Sequence, residues 1–374
     1  MNAPHSTAHT LALAALTLLP ASLLAQAGSQ IGRVTGLAGV EARGLSFQSG
    51  LGIKSVTEVA VPFGVLWPMT SRLSIDVGGR YATVTRTEET GSSSSVSGPT
   101  DVQARAVYQI IPDLAVLTVG ANLPTGKTKL TGNELLAAGV IASDLIPFPV
   151  SSFGSGFNVT TGLALAVPVG GWAVGVAGSY RQNASFTLLA DTSAAYKAGG
   201  EFRLRLGADR ILGQSRVSLG FTYSSFGEDE FGAARIFQSG KRYISQFSWS
   251  FPIGNLGLAV YAWDLYRANG SQPINGSTTE KRNVLTLGGA ASVQMGKNVL
   301  RPQLEFRNHT LGVNKLESAG QLLSLGARYQ MPIGERYVVF PSARFDTGNV
   351  VNSATGQAVS FSGWNVGVTL RATM

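Results

Sequence analysis

The sequence predicts an all-β protein, a transmembrane antiparallel up-and-down β-barrel of about 16 strands. Three observations predict it. Long segments alternate apolar and polar residues, tight turns alternate with longer polar connections, and a short apolar segment near the start reads as an export signal. Composition agrees: of 374 residues 44% are hydrophobic and 13% charged, against roughly 25% charged in ordinary soluble domains. No later apolar run reaches the length of roughly 18 residues that a spanning helix needs.

The opening segment comes first. Leu11 to Leu24 form a short apolar core, and Ala25-Gln26-Ala27 supplies a small-x-small cleavage pattern. Residues 1–27 are therefore expected to be a signal peptide and residues 28–374 the barrel. The leading residues hold His5 and His9 but no Lys or Arg. An N-terminal membrane anchor is the alternative.

From residue 53 one period dominates. Thr57, Val59, Val61, Phe63, Val65 and Trp67 alternate with Val56, Glu58, Ala60, Pro62, Gly64 and Leu66. Phe202, Leu204 and Leu206 alternate with Glu201, Arg203 and Arg205, and Trp364, Val366, Val368, Leu370, Ala372 and Met374 share one parity at the end. Period two gives each strand one dry and one wet face.

Tight turns are expected at Met69-Thr70-Ser71, Pro112-Asp113, Gly170-Gly171, Leu212-Gly213-Gln214, Gly254-Asn255, Gly296-Lys297-Asn298 and Gly334-Glu335-Arg336. Longer polar connections are expected at GSSSSVSG from Gly91 and ANGSQPINGSTTE from Ala268. Short periplasmic turns alternating with long outer loops mark a membrane barrel. Seven tight turns join fourteen strands, and about 359–374 adds another. An even number then requires a first strand within 34–48, where alternation is poor; otherwise 14 strands remain and residues 28–50 form an inward plug.

Hydrocarbon does not solvate charge, so the lipid face must be apolar, and a mid-bilayer Arg or Lys there costs about 2–4 kcal/mol. This assigns Arg72, Arg80, Arg105, Lys197, Arg203, Arg205, Arg301, Arg307, Arg328 and Arg344 to the lumen, with Asp76, Glu201, Glu305, Asp346 and Asp264. An internal salt-bridge mesh and a charged selectivity ring are both compatible with that set. Trp67, Tyr81, Trp172, Tyr180, Tyr243 and Trp364 fall on outward parities, where an interfacial girdle belongs.

Catalysis and cofactors find little support. Cysteine is absent, which excludes disulfides, thiolate zinc sites and cysteine nucleophiles. Beyond the signal the sole histidine is His309, too few for a multi-histidine metal site. No P-loop, EF-hand loop, Gly-x-Ser-x-Gly elbow or convincing dinucleotide fingerprint occurs. The net charge of +8 is dispersed rather than clustered as in nucleic-acid binders. No enzyme, cofactor, metal or nucleic-acid partner is expected.

Three short motifs stand out: Gly98-Pro99-Thr100-Asp101 opening a strand, Leu123-Pro124-Thr125-Gly126 ending the next, and Gly154-Ser155-Gly156 opening another. With the strand–turn–strand cadence of Val61 to Asp76, they resemble outer-membrane proteins described as transporters of the phenol-degradation meta pathway. Those are related to the long-chain fatty-acid transporter family. The resemblance spans roughly residues 55 to 170. It implies a channel for passive uptake of small hydrophobic or aromatic compounds across the outer membrane of a Gram-negative-type bacterium. The expected partners are membrane lipid and lipopolysaccharide, the solute, and the barrel-assembly machinery. A porin for small hydrophilic or anionic solutes and a structural or adhesive surface barrel are the alternatives.

Between the second and third motifs lies LLAAGVIASDLIPFPV, residues 135–150, within an apolar loop assigned to 127–155. Thr131 and Glu134 have capping-box spacing, so a short helix over Leu135 to Leu145 is expected, ended before Pro147. Leu135, Leu136, Val140, Ile141, Leu145, Ile146 and Phe148 form a candidate solute-capture surface. Three roles fit: a constriction folded into the mouth, an apolar capture shelf, or a contact with lipopolysaccharide or a neighbouring subunit.

Overall fold

A computed structural model describes residues 32–374; residues 1–27, assigned to a signal peptide, lie outside the described residues. Sixteen antiparallel strands close into a barrel. They are β1 Thr35–Phe47, β2 Ile53–Pro68, β3 Leu73–Glu88, β4 in two segments (Ser93–Pro99 and Val102–Ile111), β5 Ala115–Leu123, β6 Asn158–Val169, β7 Trp172–Asn183 and β8 Glu201–Leu212. The second half comprises β9 Ser215–Phe226, β10 Arg242–Ile253, β11 Leu256–Arg267, β12 Lys281–Met295, β13 Asn298–Gly312, β14 Glu317–Ile333, β15 Tyr337–Val351 and β16 Ala358–Thr373. Both β4 segments pair with β3, one along its outer half and one along its inner half. Closure comes from β1 against β16, in continuous register from Thr35↔Thr373 to Phe47↔Phe361. The first strand thus lies in the wall, which selects 16 strands over 14 with a plug.

All seven expected tight turns join neighbouring strands at one end of the barrel. At the other end, three connections extend into a second sheet of six short segments, among them Ala195–Lys197, Glu228–Phe231 and Ser271–Gln272. One expected loop is corrected. Ser93–Pro99 continues the wall, with Ser93, Ser95 and Ser97 outward and Ser94, Val96 and Gly98 buried inside. Serine suits the outward positions because the wall there has risen above the apolar belt.

That belt is visible on the outer face. Val59 to Trp67 on β2, Leu323 to Ile333 on β14 and Trp364 to Leu370 on β16 present exposed apolar side chains. Further out the same parity turns polar: Thr83, Thr85 and Thr87 on β3, and Asn308, Gln321, Asn349 and Ser360 facing one another across β13 to β16. A closed strand wall with an apolar belt and polar ends is the architecture of an outer-membrane barrel, and the protein is one. Outward Tyr223, Tyr243 and Tyr266, with ring centroids 5.5 and 6.1 Å apart in sequence, sit where a girdle would. Asp264 belongs to this outer surface and not to the lumen: it lies opposite Leu285 beside that girdle and accepts a bond from Asn283 Nδ2 at 2.7 Å.

Parity is testable on β8, where Leu204 is exposed on the outer face and Arg203 binds Glu201 inside at 2.8 Å. Leu204→Arg should cost about 2–4 kcal/mol and reduce assembled barrel. Arg203→Leu should assemble normally. Heat-modifiable migration in SDS gels reads both, and equal tolerance would defeat the assigned faces.

Candidate functional site: a loop folded across the lumen

The connection between β5 and β6, residues 124–157, does not stand above the barrel. It turns inward. Its helix α1, Gly132–Ile141, starts at Thr131, whose hydroxyl accepts from Glu134 N while the Glu134 carboxylate accepts from Thr131 N. Lys127 also donates to Glu134, and that bond first, then the one from Thr131 N, holds the carboxyl below its usual range. The helix ends at Ile141, four residues earlier than the sequence suggests. The chain beyond it runs through a turn and bends without regular structure, and Pro147 and Pro149 supply no backbone donors there.

Apolar packing explains the inward course. Ala137, Ile141, Val150 and Phe153 join Val56, Ala60, Ala82, Val84 and Val96 in one buried cluster. Leu145 and Ile146 join Leu45, Leu322 and Phe361 in a second. The wall residues in both sets are inward-facing, so the oily run covers the apolar part of the lumen wall and is covered by it. Burying each of the larger side chains, such as Ile141, Leu145 and Phe153, contributes about 1.5–3 kcal/mol.

Polar contacts fix the register of loop on wall. Arg43 donates to Pro147 O, Arg80 donates to Pro149 O at 2.6 Å, and Glu58 accepts from Val150 N at 2.7 Å. On the far side Asp144 meets Arg282 of β12 at 2.7 Å. The loop thereby bridges from β1–β3 to β12 and narrows the lumen.

The loop's root is held by Asp101, in the gap between the two segments of β4. Its carboxylate accepts from Gly126 N at 2.9 Å, Ser155 N at 2.6 Å and Asn122 Nδ2 at 2.7 Å. The three motifs singled out in the sequence meet at this one group. Gly126 is required there: a β-carbon would overlap Phe153 O and Asp101 N.

The candidate capture residues divide in two. Leu135 and Leu136 are exposed, at 41% and 45%, whereas Ile141, Leu145 and Ile146 are buried and Val140 and Phe148 partly so. An open hollow of about 430 Å³ at the outer mouth is lined by Leu135, Leu136, Val140 and Ile146 from the loop and by Phe47, Ile53 and Val350 from the wall.

Of the candidate lumen charges, Arg80, Arg105, Glu201, Arg203, Arg205, Arg301, Glu305, Arg307, Arg328, Arg344 and Asp346 occupy inward positions of the wall. Two do not. Arg72 is exposed in the β2–β3 turn, because β3 begins only at Leu73. Lys197 is exposed in the outer sheet, 3.8 Å from Glu230, because β8 begins only at Glu201. Much of the set is paired as a mesh: Arg105 with Asp76 at 2.8 Å, Arg307 with Glu305 at 2.8 Å, and both Arg43 and Arg344 with Asp346 at 2.6 and 3.1 Å. Tyr261 donates to Glu305 at 3.0 Å, its ring lying over Gly288, where no side chain would fit.

Sequence reasoning passed over Arg43, Asp101, Arg242, Arg267 and Arg282 as site residues. Asp101 carried a signal as the acidic end of a strand-opening motif. The last three stand at strand ends, where they read as loop flanks.

No protein-family model matches the chain, and no curated protein is similar to it. Solved structures with a similar fold include the CymD monoaromatic hydrocarbon channel, 14% identical over 94% of this chain and 90% of its own, with a TM-score of 0.46. OmpT, an outer membrane protein of Vibrio cholerae, is 10% identical over 92% and 98%, with a TM-score of 0.42. An anion-selective porin from Comamonas acidovorans is 13% identical over 91% and 98%, with a TM-score of 0.41. At these identities the likeness is one of fold class and carries nothing about what this chain transports.

Proposed function

We propose that the protein is a non-enzymatic outer-membrane channel for passive uptake of small hydrophobic or aromatic compounds, exported by residues 1–27 and narrowed by its inward loop. The observation that carries this reading is the apolar hollow at the mouth, built jointly by α1 and the outer ends of β1 and β2. A solute there gains about 25 cal/mol for each Å² of apolar surface removed from water. The motif resemblance to phenol-pathway transporters supports the same solute class. Constriction and capture are two properties of one loop, because its buried face grips the wall while Leu135 and Leu136 stay open.

Deleting Leu135 to Val150 tests it, since no strand is interrupted. The barrel should fold, ion conductance in planar bilayers should rise, and uptake of toluene at low external concentration should fall. Unchanged conductance together with unchanged uptake would defeat the proposal. A wild-type barrel that neither conducts nor admits solute would favour a structural or adhesive role.

A further inference from the structure

The lumen wall from β7 to β12 carries a row of like charge at one height. The registers set Ser179, Arg203, Ser224, Arg242, Arg267 and Arg282 opposite one another across β7 to β12. All face inward. Arg242, Arg267 and Arg282 are immediate cross-strand neighbours, with about 4.5–5.5 Å between β-carbons, an arrangement in which like charges repel.

Counter-charge is scarce. Glu201, one row further out, meets Arg203 at 2.8 Å, Arg242 at 2.6 Å and also Arg181. Asp144, at the tip of the loop, meets Arg282. Four guanidiniums thus share two carboxylates, and a fifth stands among them. Arg267 makes no ion pair among the described residues, and its Nε is buried without a partner, as are those of Arg181, Arg242 and Arg282. Stability alone gives no reason for such a row: glutamine or serine would fit the same polar wall without repulsion.

We propose that this arginine row is a binding site for the carboxylate of a small organic anion in transit, an inference that rests on the channel reading. Guanidinium presents paired N–H donors matched to carboxylate oxygens, and it stays charged when partly dehydrated. Adjacent guanidiniums on neighbouring strands let a carboxylate pass from one fork to the next without leaving positive potential. Asp144 on Arg282 already displays the contact that a solute carboxylate would make. Together with the apolar hollow at the mouth, the row selects solutes with an apolar body and an anionic head.

The test uses full-length mature barrel, refolded in detergent and inserted in planar bilayers, with benzoate and benzyl alcohol as matched probes. The native channel should favour chloride over potassium in reversal-potential measurements. Benzoate should reduce the chloride current and bind about fivefold more tightly by calorimetry than benzyl alcohol, which only the apolar hollow holds and which should leave the current unchanged. Arg267→Gln should weaken benzoate binding about fivefold and lower the chloride preference. Its thermal transition should stay level or rise, because a repelling neighbour is gone. Conduction without anion preference, or equal action of the two probes on the native protein, would overturn the site while leaving the channel standing. A barrel that binds benzoate through Arg267 but never conducts keeps the site and defeats the channel. A lowered thermal transition with unchanged benzoate binding would make Arg267 a structural wall residue and overturn the proposal.

Discussion

Asp101→Ala should release the inward loop from a barrel that still closes. The carboxylate accepts from two backbone amides, Gly126 N and Ser155 N, and from Asn122 Nδ2, all within 2.9 Å. Hydrogen bonds to a charged acceptor contribute about 1.5–3 kcal/mol each. Losing them together should weaken the loop root by on the order of 3–6 kcal/mol once partial replacement by water is allowed for. The paired strands on either side do not depend on this group: β3 still pairs with β4, and β5 with β6. Two readouts separate loop from wall. Heat-modifiable migration should persist, whereas trypsin should cut at Lys127 or Lys129 and single-channel conductance should become larger and noisier. Asp101→Asn should be intermediate, because its amide keeps one acceptor oxygen but turns a donor toward Asn122 or Ser155. Native protease resistance in Asp101→Ala would show that apolar packing alone holds the loop.

This clasp illustrates which parts of the molecule could be read from the chain. Wall strands were legible because a barrel imposes period two wherever lipid lies on one side and water on the other. Leu204 and Arg203 display it in two adjacent letters. Alternation fails in β1 for a physical reason. Inward Leu37, Leu45 and Phe47 are apolar, as are inward Val359 and Phe361 on β16, because several of these positions face the oily loop rather than water. Where both faces are apolar, the period vanishes, and the first strand looked like a possible plug.

The site was legible in kind but not in place. An apolar run in a connecting segment signals that something must cover it, and Thr131 with Glu134 announced a helix start. The partners that draw the run inward are remote: Glu58 lies 92 residues from Val150, and Arg43 lies 104 from Pro147. No local pattern encodes such contacts. The arginine row was hidden for a similar reason. Arg242, Arg267 and Arg282 are separate strand-end residues in sequence and become neighbours only through register. Arg72 and Lys197 erred in the opposite sense, since each lies just before the strand that parity extended to include it.

Removing Asp346 should be the most damaging single change in the wall. Arg43 and Asp346 are both fully buried and 2.6 Å apart, and Ser324 Oγ donates to the same carboxylate at 2.6 Å. Arg344 adds a contact at 3.1 Å. With Asp346→Ala, Arg43 keeps its bond to Pro147 O and its position 5.3 Å from the Phe148 ring, but it loses its only ion pair among the described residues. Glu58 stands opposite Arg43 on β2 without pairing to it, and breaking a buried ion pair in this way costs about 3–5 kcal/mol. The thermal transition in detergent should fall, and conductance should become irregular because Pro147 and Phe148 lose a fixed partner. Arg344 should suffer less, since part of its side chain reaches lumen water. The decisive control is the pair Arg43→Met with Asp346→Leu. Replacing a buried ion pair by apolar residues of similar volume is often neutral, so the double variant should recover most of the lost thermal stability. It should still conduct irregularly, because methionine cannot donate to Pro147 O. Recovery of both properties would mean that the pair only fills space. Recovery of stability alone would assign Arg43 to holding the loop.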